Sequence, residues 1–397
     1  FPCYSTAMKL TTEQREWLAL TMVPGVGTTH FIRLLARFRT PGNVLKAPRA
    51  SLQDIVGPKL AERISEYSEA ADVDAQERAM ESYRASLITM NDALYPARLG
   101  EIYDPPLVLF VRGELREEDE RAVAIVGTRG ATPYGIRIAE RLAGDLAASG
   151  VTIVSGMASG IDAAAHRGAL EAGGRTIAVL GNGVDRVYPE QNADLMHKII
   201  AQGAVVSQFT MGTKPSKGHF PYRNRIISGM SLGVVIVQAP LKSGALITAH
   251  QAAEQGREVF AVPGDVGNEN SQGPHALIRE GAKLVESAND ILIELNLAGA
   301  APVPRIAWES PETAAEPLEE AVRTAPKAAK TAPEPPRVAA AAGAERDILS
   351  VLSADGSYVD EIAASCRISV AEALSSLTLL ELKGLVRQFS GKRFAPR

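Results

Sequence analysis

The twelve residues Lys214-Pro-Ser-Lys-Gly-His-Phe-Pro-Tyr-Arg-Asn-Arg225 carry four cations (Lys214, Lys217, Arg223, Arg225) beside two aromatic rings, Phe220 and Tyr222. Cations track a phosphate backbone while a ring stacks on an unpaired base, a combination suited to single-stranded nucleic acid. Stacking of this kind is worth roughly 1–3 kcal/mol per base. The plainer alternative is a solvated loop, restricted by Pro215 and Pro221, with a buried Phe220. Local charge favours the binding reading. The whole chain has a net charge of -4, so a nucleic-acid site in it must concentrate its cations. The segment supplies Lys217, Gly218, Phe220, Arg223, Asn224 and Arg225 as binding candidates.

Three further segments have the makings of anion sites. In Val126-Gly-Thr-Arg129, Gly127 lets a ligand approach the backbone, Thr128 offers a hydroxyl, and Arg129 offers a planar fork of donors suited to phosphate. In Ser155-Gly-Met-Ala-Ser-Gly-Ile-Asp162, Ser155 and Gly156 open a small-residue cradle at a helix start. In Leu241-Lys-Ser-Gly-Ala-Leu-Ile-Thr248, Ser243 is placed to cap a helix, Gly244 leaves amides free for an anion, and Lys242 adds charge. Asp162 and His166 are one helical turn apart and share a face. A metal would need more ligands than this pair, so an internal hydrogen bond is the expected use, and no metal site is expected.

All four segments must be held by something, and the pattern around them says what. Ala122–Gly127, Val151–Ser155, Thr176–Gly181, Ala204–Ser207, Gly233–Gln238 and Glu258–Val262 are short, continuous apolar runs. Such runs suit strands covered on both faces. Helical stretches such as Ile136–Ser149 and Ala245–Gly256 lie between them. The alternation predicts an α/β fold, a doubly wound, mostly parallel, Rossmann-like sheet with right-handed crossovers. Ligands of such sheets bind beyond the carboxyl ends of the strands, where the candidate segments fall.

Composition divides the chain into four regions: a helical domain over residues 9–90, the α/β domain over 91–298, an Ala/Pro-rich linker over 299–344, and a helical C-terminal domain over 345–397. The linker has little to bury and is expected to be flexible. In the first region Val23-Pro-Gly-Val-Gly27 and Ile55-Val-Gly-Pro-Lys59 resemble helix–hairpin–helix elements. A small helical domain whose glycines only make turns is the preferred reading. The last region reads as helices over Glu345–Ser353, Val359–Cys366 and Val370–Lys383, then a hairpin-like tail, the order of a winged helix. Its third helix carries Glu372 and Glu381, poor company for DNA. Arg387, Lys392 and Arg393 in the wing are better placed, and protein contact is an equal alternative.

Several classes are excluded. Hydrophobic residues make up 46% and charged residues 22% of the chain, ordinary values for a globular protein. No apolar run approaches the roughly 20 residues a membrane helix needs. Phe1–Leu10 does not read as a secretory signal, and Cys3 and Cys366 suggest neither a metal site nor a disulfide framework, so a cytoplasmic location is expected. There is no Gly-x-Gly-x-x-Gly after the first strand, no phosphate-binding P-loop, and no Gly-x-Ser-x-Gly elbow. No cofactor and no enzymatic activity are expected.

Taken in order, Asp104-Pro-Pro-Leu-Val-Leu-Phe-Val-Arg-Gly113, VGTR, SGMASGIDAAAH, AVLGNGVDRVYPEQN, HFPYRNRIISG, LKSGALITA and AVPGD resemble the DNA-processing protein A (DprA/Smf) family from about Tyr95 to Asp290. The resemblance implies an extended Rossmann fold with a SAM or helix–hairpin–helix-like N-terminal domain and a winged helix. It also implies a homodimer that binds single-stranded DNA in a basic pocket and loads the RecA recombinase during natural transformation. By position it assigns binding to Arg129, Lys217, Phe220, Arg223, Arg225 and Lys242. Three positions depart from the family pattern: Gln208 and Gln238 stand where Glu is common, and Ser159 where many members have Arg. The competing reading is a nucleotide-processing enzyme of the phosphoribohydrolase-like Rossmann group, whose acid or base would be Asp162 or Glu254. A third is an adaptor that recruits partners through the linker and winged helix.

Overall fold

Short apolar runs become strands here because both faces of the sheet are covered. The computed structural model describes residues 9–67 and 69–297, then 348, 350–353, 357–366, 368, 373, 376, 377, 380, 386–389 and 393–396. Helices α1 (Thr12–Met22), α2 (Thr28–Phe38), α3 (Pro41–Leu45), α4 (Arg49–Val56), α5 (Pro58–Glu66) and α6 (Glu69–Tyr83) lead into β1 (Ala85–Thr89), α7 (Ala97–Gly100) and β2 (Val108–Gly113). The winding then runs β3 (Ala122–Val126), α8 (Pro133–Ala148), β4 (Thr152–Ser155), α9 (Ile161–Glu171), β5 (Thr176–Val179), α10 (Ala193–Gln202) and β6 (Ala204–Ser207). It continues through α11 (His219–Gly229), β7 (Gly233–Ile236), α12 (Gly244–Glu254), β8 (Glu258–Ala261), α13 (Gln272–Arg279), β9 (Lys283–Leu284) and α14 (Ala288–Glu294).

All five residues of β3 are buried. Side chains alternate across a strand, so Val123 and Ile125 pack with α8, α9 and α14, while Ala122, Ala124 and Val126 pack with α11, α12 and α13. The six runs read as strands all form strands, each trimmed by at most two residues.

The sheet has nine strands in the order β1-β2-β6-β5-β4-β3-β7-β8-β9. β6 through β9 are parallel, and β2 joins β6 antiparallel with Phe110 opposite Ser207. From β3 the winding goes outward one way through β4 to β6 and the other way through β7 to β9. The crevice between β3 and β7, where Val126 faces Ile236, is therefore the topological switch point. Because β2 runs against β6, the loop entering β2 opens on the same edge as the carboxyl ends of the parallel strands.

β1 lies within the stretch read as helical from sequence and pairs antiparallel with β2, Leu87 opposite Phe110. Trp17, Phe31 and Leu34 of the N-terminal helices share one core with Leu87, Phe110 and Met196. Gly25 (φ 97°) and Gly57 (φ 78°) make the turns between α1 and α2 and between α4 and α5, a backbone region that favours glycine. The segment read as a basic loop over 214–225 is a loop only to Gly218; α11 begins at His219. Pro221 fits in its first turn, where no intrahelical acceptor awaits its missing N–H.

The chain divides into two compact units, the first holding everything described up to Leu297 and the second everything from Ile348. In the second, β10 (Ser357–Tyr358), β12 (Arg393–Pro396) and β11 (Val386–Phe389) form an antiparallel sheet beside α15 (Val359–Cys366). Ile348, Ile362, Leu377, Val386 and Phe394 form its core. Lys392, the expected linker and most of the expected helix Val370–Lys383 lie outside the described residues. Among the described residues no helix is long and apolar enough to cross a membrane.

Candidate nucleic-acid interface

Two adjoining hollows open where the parallel strands end. The larger, about 330 Å³, sits at the switch point between Gly127–Arg129 after β3 and Pro240–Ala245 after β7. The smaller, about 110 Å³, lies over the ends of β4 and β5, between Gly156–Ser159 and Leu180–Asn182. Arg129, Ala158, Phe220 and Arg223 line both, so these four residues stand at their common wall.

The wall is built around one ring. The Arg129 guanidinium lies 5.4 Å from the Phe220 ring centroid, within cation–π range. On the smaller hollow's side Phe220 meets Tyr188, with centroids 5.5 Å apart. A Cβ on Gly181 would come within 2.9 Å of Phe220 Cδ1, so the absent side chain at 181 is what lets the ring settle. Tyr188 was not among the candidates read from sequence. Its only sequence signal is its place in the AVLGNGVDRVYPEQN motif.

The remaining candidates range from exposed, through half-buried Gly127, Thr128 and Ser243, to buried, Asn224 among the last. Arg129, Lys217, Gly218, Lys242 and Gly244 are exposed. Lys217 lies on the turn leading into α11 and Lys242 just ahead of α12, so both flank the hollows. Ser243 caps α12, its Oγ accepting from Ala245 N at 3.3 Å. The Thr128 hydroxyl accepts from Gly130 N at 3.2 Å. Asn224 lines the larger hollow and donates to Gly244 O at 3.3 Å.

Ser155, Gly156, Arg223 and Arg225 are buried; Gly156 and Arg223 still line a hollow, whereas Ser155 and Arg225, expected to meet a ligand, line neither. Ser155 donates to Ile125 O at 2.6 Å, and so fastens the end of β4 to β3. Arg223 Nη1 donates to Gly156 O at 2.9 Å and to Val179 O, locking α11 onto the ends of β4 and β5. It also lines both hollows. Arg225 Nε donates to Asp104 O at 2.8 Å and its Nη2 to Gln208 Oε1 at 2.8 Å. Both arginines sit on α11, which is buried on every side from Arg223 to Gly229, so each is enclosed although they point about 200° apart around the axis.

Asp162 sits fully buried at the start of α9. Burial pushes its carboxyl up to about 6, against the opposing pull of Arg223 and of amides at Gly127, Ala158 and Gly156. Burial also lowers the Arg223 guanidinium to about 10, partly offset by Asp162. The two charges partly offset each other's burial without forming a direct ion pair. Asp162 and His166 do not bond each other as expected from their spacing. His166 pairs through Nδ1 with Thr176 Oγ1 at 2.6 Å, and burial lowers it to about 3. Among the described residues no three His, Cys, Asp or Glu side chains cluster to hold a metal.

The loop after β4 is tied to its surroundings at several points. Met157 takes φ 58°, rare for a residue with a side chain, and its carbonyl accepts from Asn192 Nδ2 at 2.9 Å. A Cβ at Gly160 (φ 82°) would lie 2.4 Å from Thr128 O, so the loops after β3 and β4 touch there. The three departures from the family pattern each find a partner. Gln238 Oε1 accepts from Thr132 N at 2.9 Å and its Nε2 donates to Thr132 Oγ1 at 2.9 Å. Gln208 accepts from Arg225, and Ser159 Oγ accepts from Gln191 Nε2 at 2.7 Å.

Comparison with known proteins matches residues 86–296 to the model of the DNA recombination-mediator protein A family and residues 331–392 to the DprA winged helix domain. Protein Smf of Synechocystis sp. is 35% identical over 404 residues, covering 97% of this chain and 99% of that protein. DNA processing protein DprA of Bacillus subtilis is 46% identical over 222 residues, 55% of this chain and 75% of its own. The X-ray structure of DNA processing protein A from Streptococcus pneumoniae superposes with a TM-score of 0.64 at 37% identity, covering 72% of this chain and 99% of that one.

Proposed function

The chain belongs to the DNA recombination-mediator protein A (DprA/Smf) family, and from that premise we propose that it binds single-stranded DNA at the β3–β7 switch point. The observation that carries the reading is the Arg129–Phe220 pair between the two hollows. A ring at a cleft mouth, backed by a cation and flanked by exposed lysines, can stack on a base while the cations meet its phosphates. Gly127, Thr128, Asn224, Ser243 and Gly244 supply short polar groups and open backbone along the larger hollow. Ser155, Gly156, Arg223 and Arg225 keep the wall in place. A duplex hides its base faces, so single strands are preferred.

The protein then acts as a mediator and not as an enzyme: it holds the strand and passes it to the RecA recombinase, as a homodimer in the cytoplasm, during natural transformation. The family's role as a recombination mediator supports the handover. The nucleotide-processing alternative needs a positioned carboxylate. Asp162 lines the larger hollow but its Oδ1 accepts from Gly127 N at 3.4 Å, a carboxylate holding the loop after β3, and Glu254 ends the eleven-residue α12, about 15 Å from the end that meets the hollow.

Fluorescence anisotropy with labelled single- and double-stranded oligonucleotides, titrated over salt, tests the reading. Single strands should bind more tightly, with log affinity falling linearly as log salt rises. Equal or tighter duplex binding, or affinity indifferent to salt, would overturn it.

A further inference from the structure

The strand must leave the pocket somewhere, and two exposed tyrosines lie along the same sheet edge. Tyr222 follows Phe220 by two residues on α11, roughly 200° around the helix axis. Phe220 therefore turns toward Arg129 while Tyr222 turns toward the loop entering β2. Its hydroxyl donates to Asp104 Oδ2 at 2.9 Å, and Arg225 stacks on its ring with Cζ 3.9 Å from the centroid. The ring is thus fixed in place, yet 46% of the residue is exposed. Next to Asp104, Tyr103 is fully exposed although its neighbours Ile102 and Pro105 are buried. Holding a whole tyrosine in water on a well-packed loop does nothing for the core.

We propose that Tyr222 and Tyr103 form a second stacking ledge that takes the bases of a single strand as it leaves the Phe220 pocket; this rests on the single-strand reading above. The path is set by the sheet. Gly181, under Phe220, follows β5; Gln208 follows β6; Tyr103 and Asp104 precede β2, the next strand along. Neighbouring strands are about 4.8 Å apart, so pocket and ledge lie roughly 10 Å from each other along one edge. Lys214 and Lys217, both exposed, sit on the turn ahead of α11, where the phosphates of a crossing strand would run. Arg225 covers one face of Tyr222, leaving the other open to a base, and a guanidinium behind a ring strengthens such a stack.

At a rise of about 3.4 Å per stacked nucleotide, an oligonucleotide of about 2 residues stays within the pocket, whereas one of about 12 reaches the ledge. The wild-type protein, Tyr103→Ala, the pair Tyr103→Ala/Tyr222→Leu, Tyr222→Phe and Phe220→Ala are compared on both lengths, with melting curves to verify folding. The double variant should lose about tenfold in affinity for the long strand and nothing for the short one. Tyr103→Ala, which alters only an exposed side chain, should show part of that loss, and Tyr222→Phe, which keeps the ring and loses its tie to Asp104, should hold the long strand more tightly than the double variant does. If Tyr103→Ala and the double variant bind the long strand as wild type does, the ledge is wrong and the pocket stands. If Phe220→Ala changes neither length, or the wild type binds neither, the pocket reading fails and takes the exit path with it.

Discussion

The guanidinium of Arg129 and the ring of Phe220 come from segments some ninety residues apart, yet lie 5.4 Å from each other at the wall between the two hollows. The two should contribute differently to binding. Phe220→Ala removes a stacking surface worth about 1–3 kcal/mol, so affinity for single strands should fall between about 5- and 150-fold with the salt slope unchanged. Arg129→Ala should weaken binding and flatten the slope by about one unit or less. Anisotropy titrations at four or five salt concentrations separate the two effects. Phe220→Ala with unaltered affinity would remove the ring from the mechanism.

Gly181 offers a subtler test of the same wall. Its missing side chain leaves room for the Phe220 ring, and a methyl group there would press on Cδ1. Gly181→Ala should shift the ring and weaken single-strand binding several-fold. The melting temperature should change little, because Phe220 is only half-buried. Affinity equal to wild type would mean that ring position is not critical.

Arg223 should matter for stability before it matters for binding. Arg223→Met strips the ends of β4 and β5 of two hydrogen bonds and leaves Asp162 buried without its compensating charge. Each hydrogen bond lost from a charged group costs about 1.5–3 kcal/mol. Adding Asp162→Asn to that variant should recover part of the loss, since the orphaned charge is gone. Urea unfolding of the two single variants and the double variant measures the coupling. Strict additivity would show that the two residues do not act as a pair.

The buried Asp162 and His166 give opposite pH dependences. Asp162 titrates at about 6 in the folded protein against 3.8 ordinarily, so the native state holds the extra proton between these values and stability rises on acidification through that window. His166 titrates at about 3 against 6.5; the unfolded chain takes that proton first, so stability falls as pH drops below about 6.5. The two partly cancel between pH 6 and 4. Asp162→Asn should unmask a steeper decline in melting temperature over that range, and His166→Gln a shallower one. Parallel melting profiles for both variants and wild type would contradict the assignment.

The fold was legible wherever burial on both faces left an uninterrupted apolar run. β3 to β8 could be read because a central parallel strand tolerates nothing else. β1 was not legible: Ala85–Thr89 follows a long helix, and its partnership with β2 is made only by tertiary pairing. The site was legible at its exposed parts. Arg129, Lys217 and Lys242 are cations left in solvent, and Phe220 is a ring among them. Tyr188 stayed hidden because nothing local marks a tyrosine as the neighbour of a phenylalanine some thirty residues onward.

Arg223 and Arg225 mark the boundary between the two kinds of information. The sequence by itself determined that positive charge gathers between residues 214 and 225 and that glycine-rich turns end the strands, because composition and spacing are local properties. Which of those cations meet solvent was decided only by the tertiary structure. α11 is packed on all sides from Arg223 onward, so the two arginines, about 200° apart around its axis, are both enclosed and meet acceptors on β5, on the loop after β4 and on the loops bearing Asp104 and Gln208. A buried guanidinium needs such partners to offset its lost hydration, and only the folded chain brings them within reach.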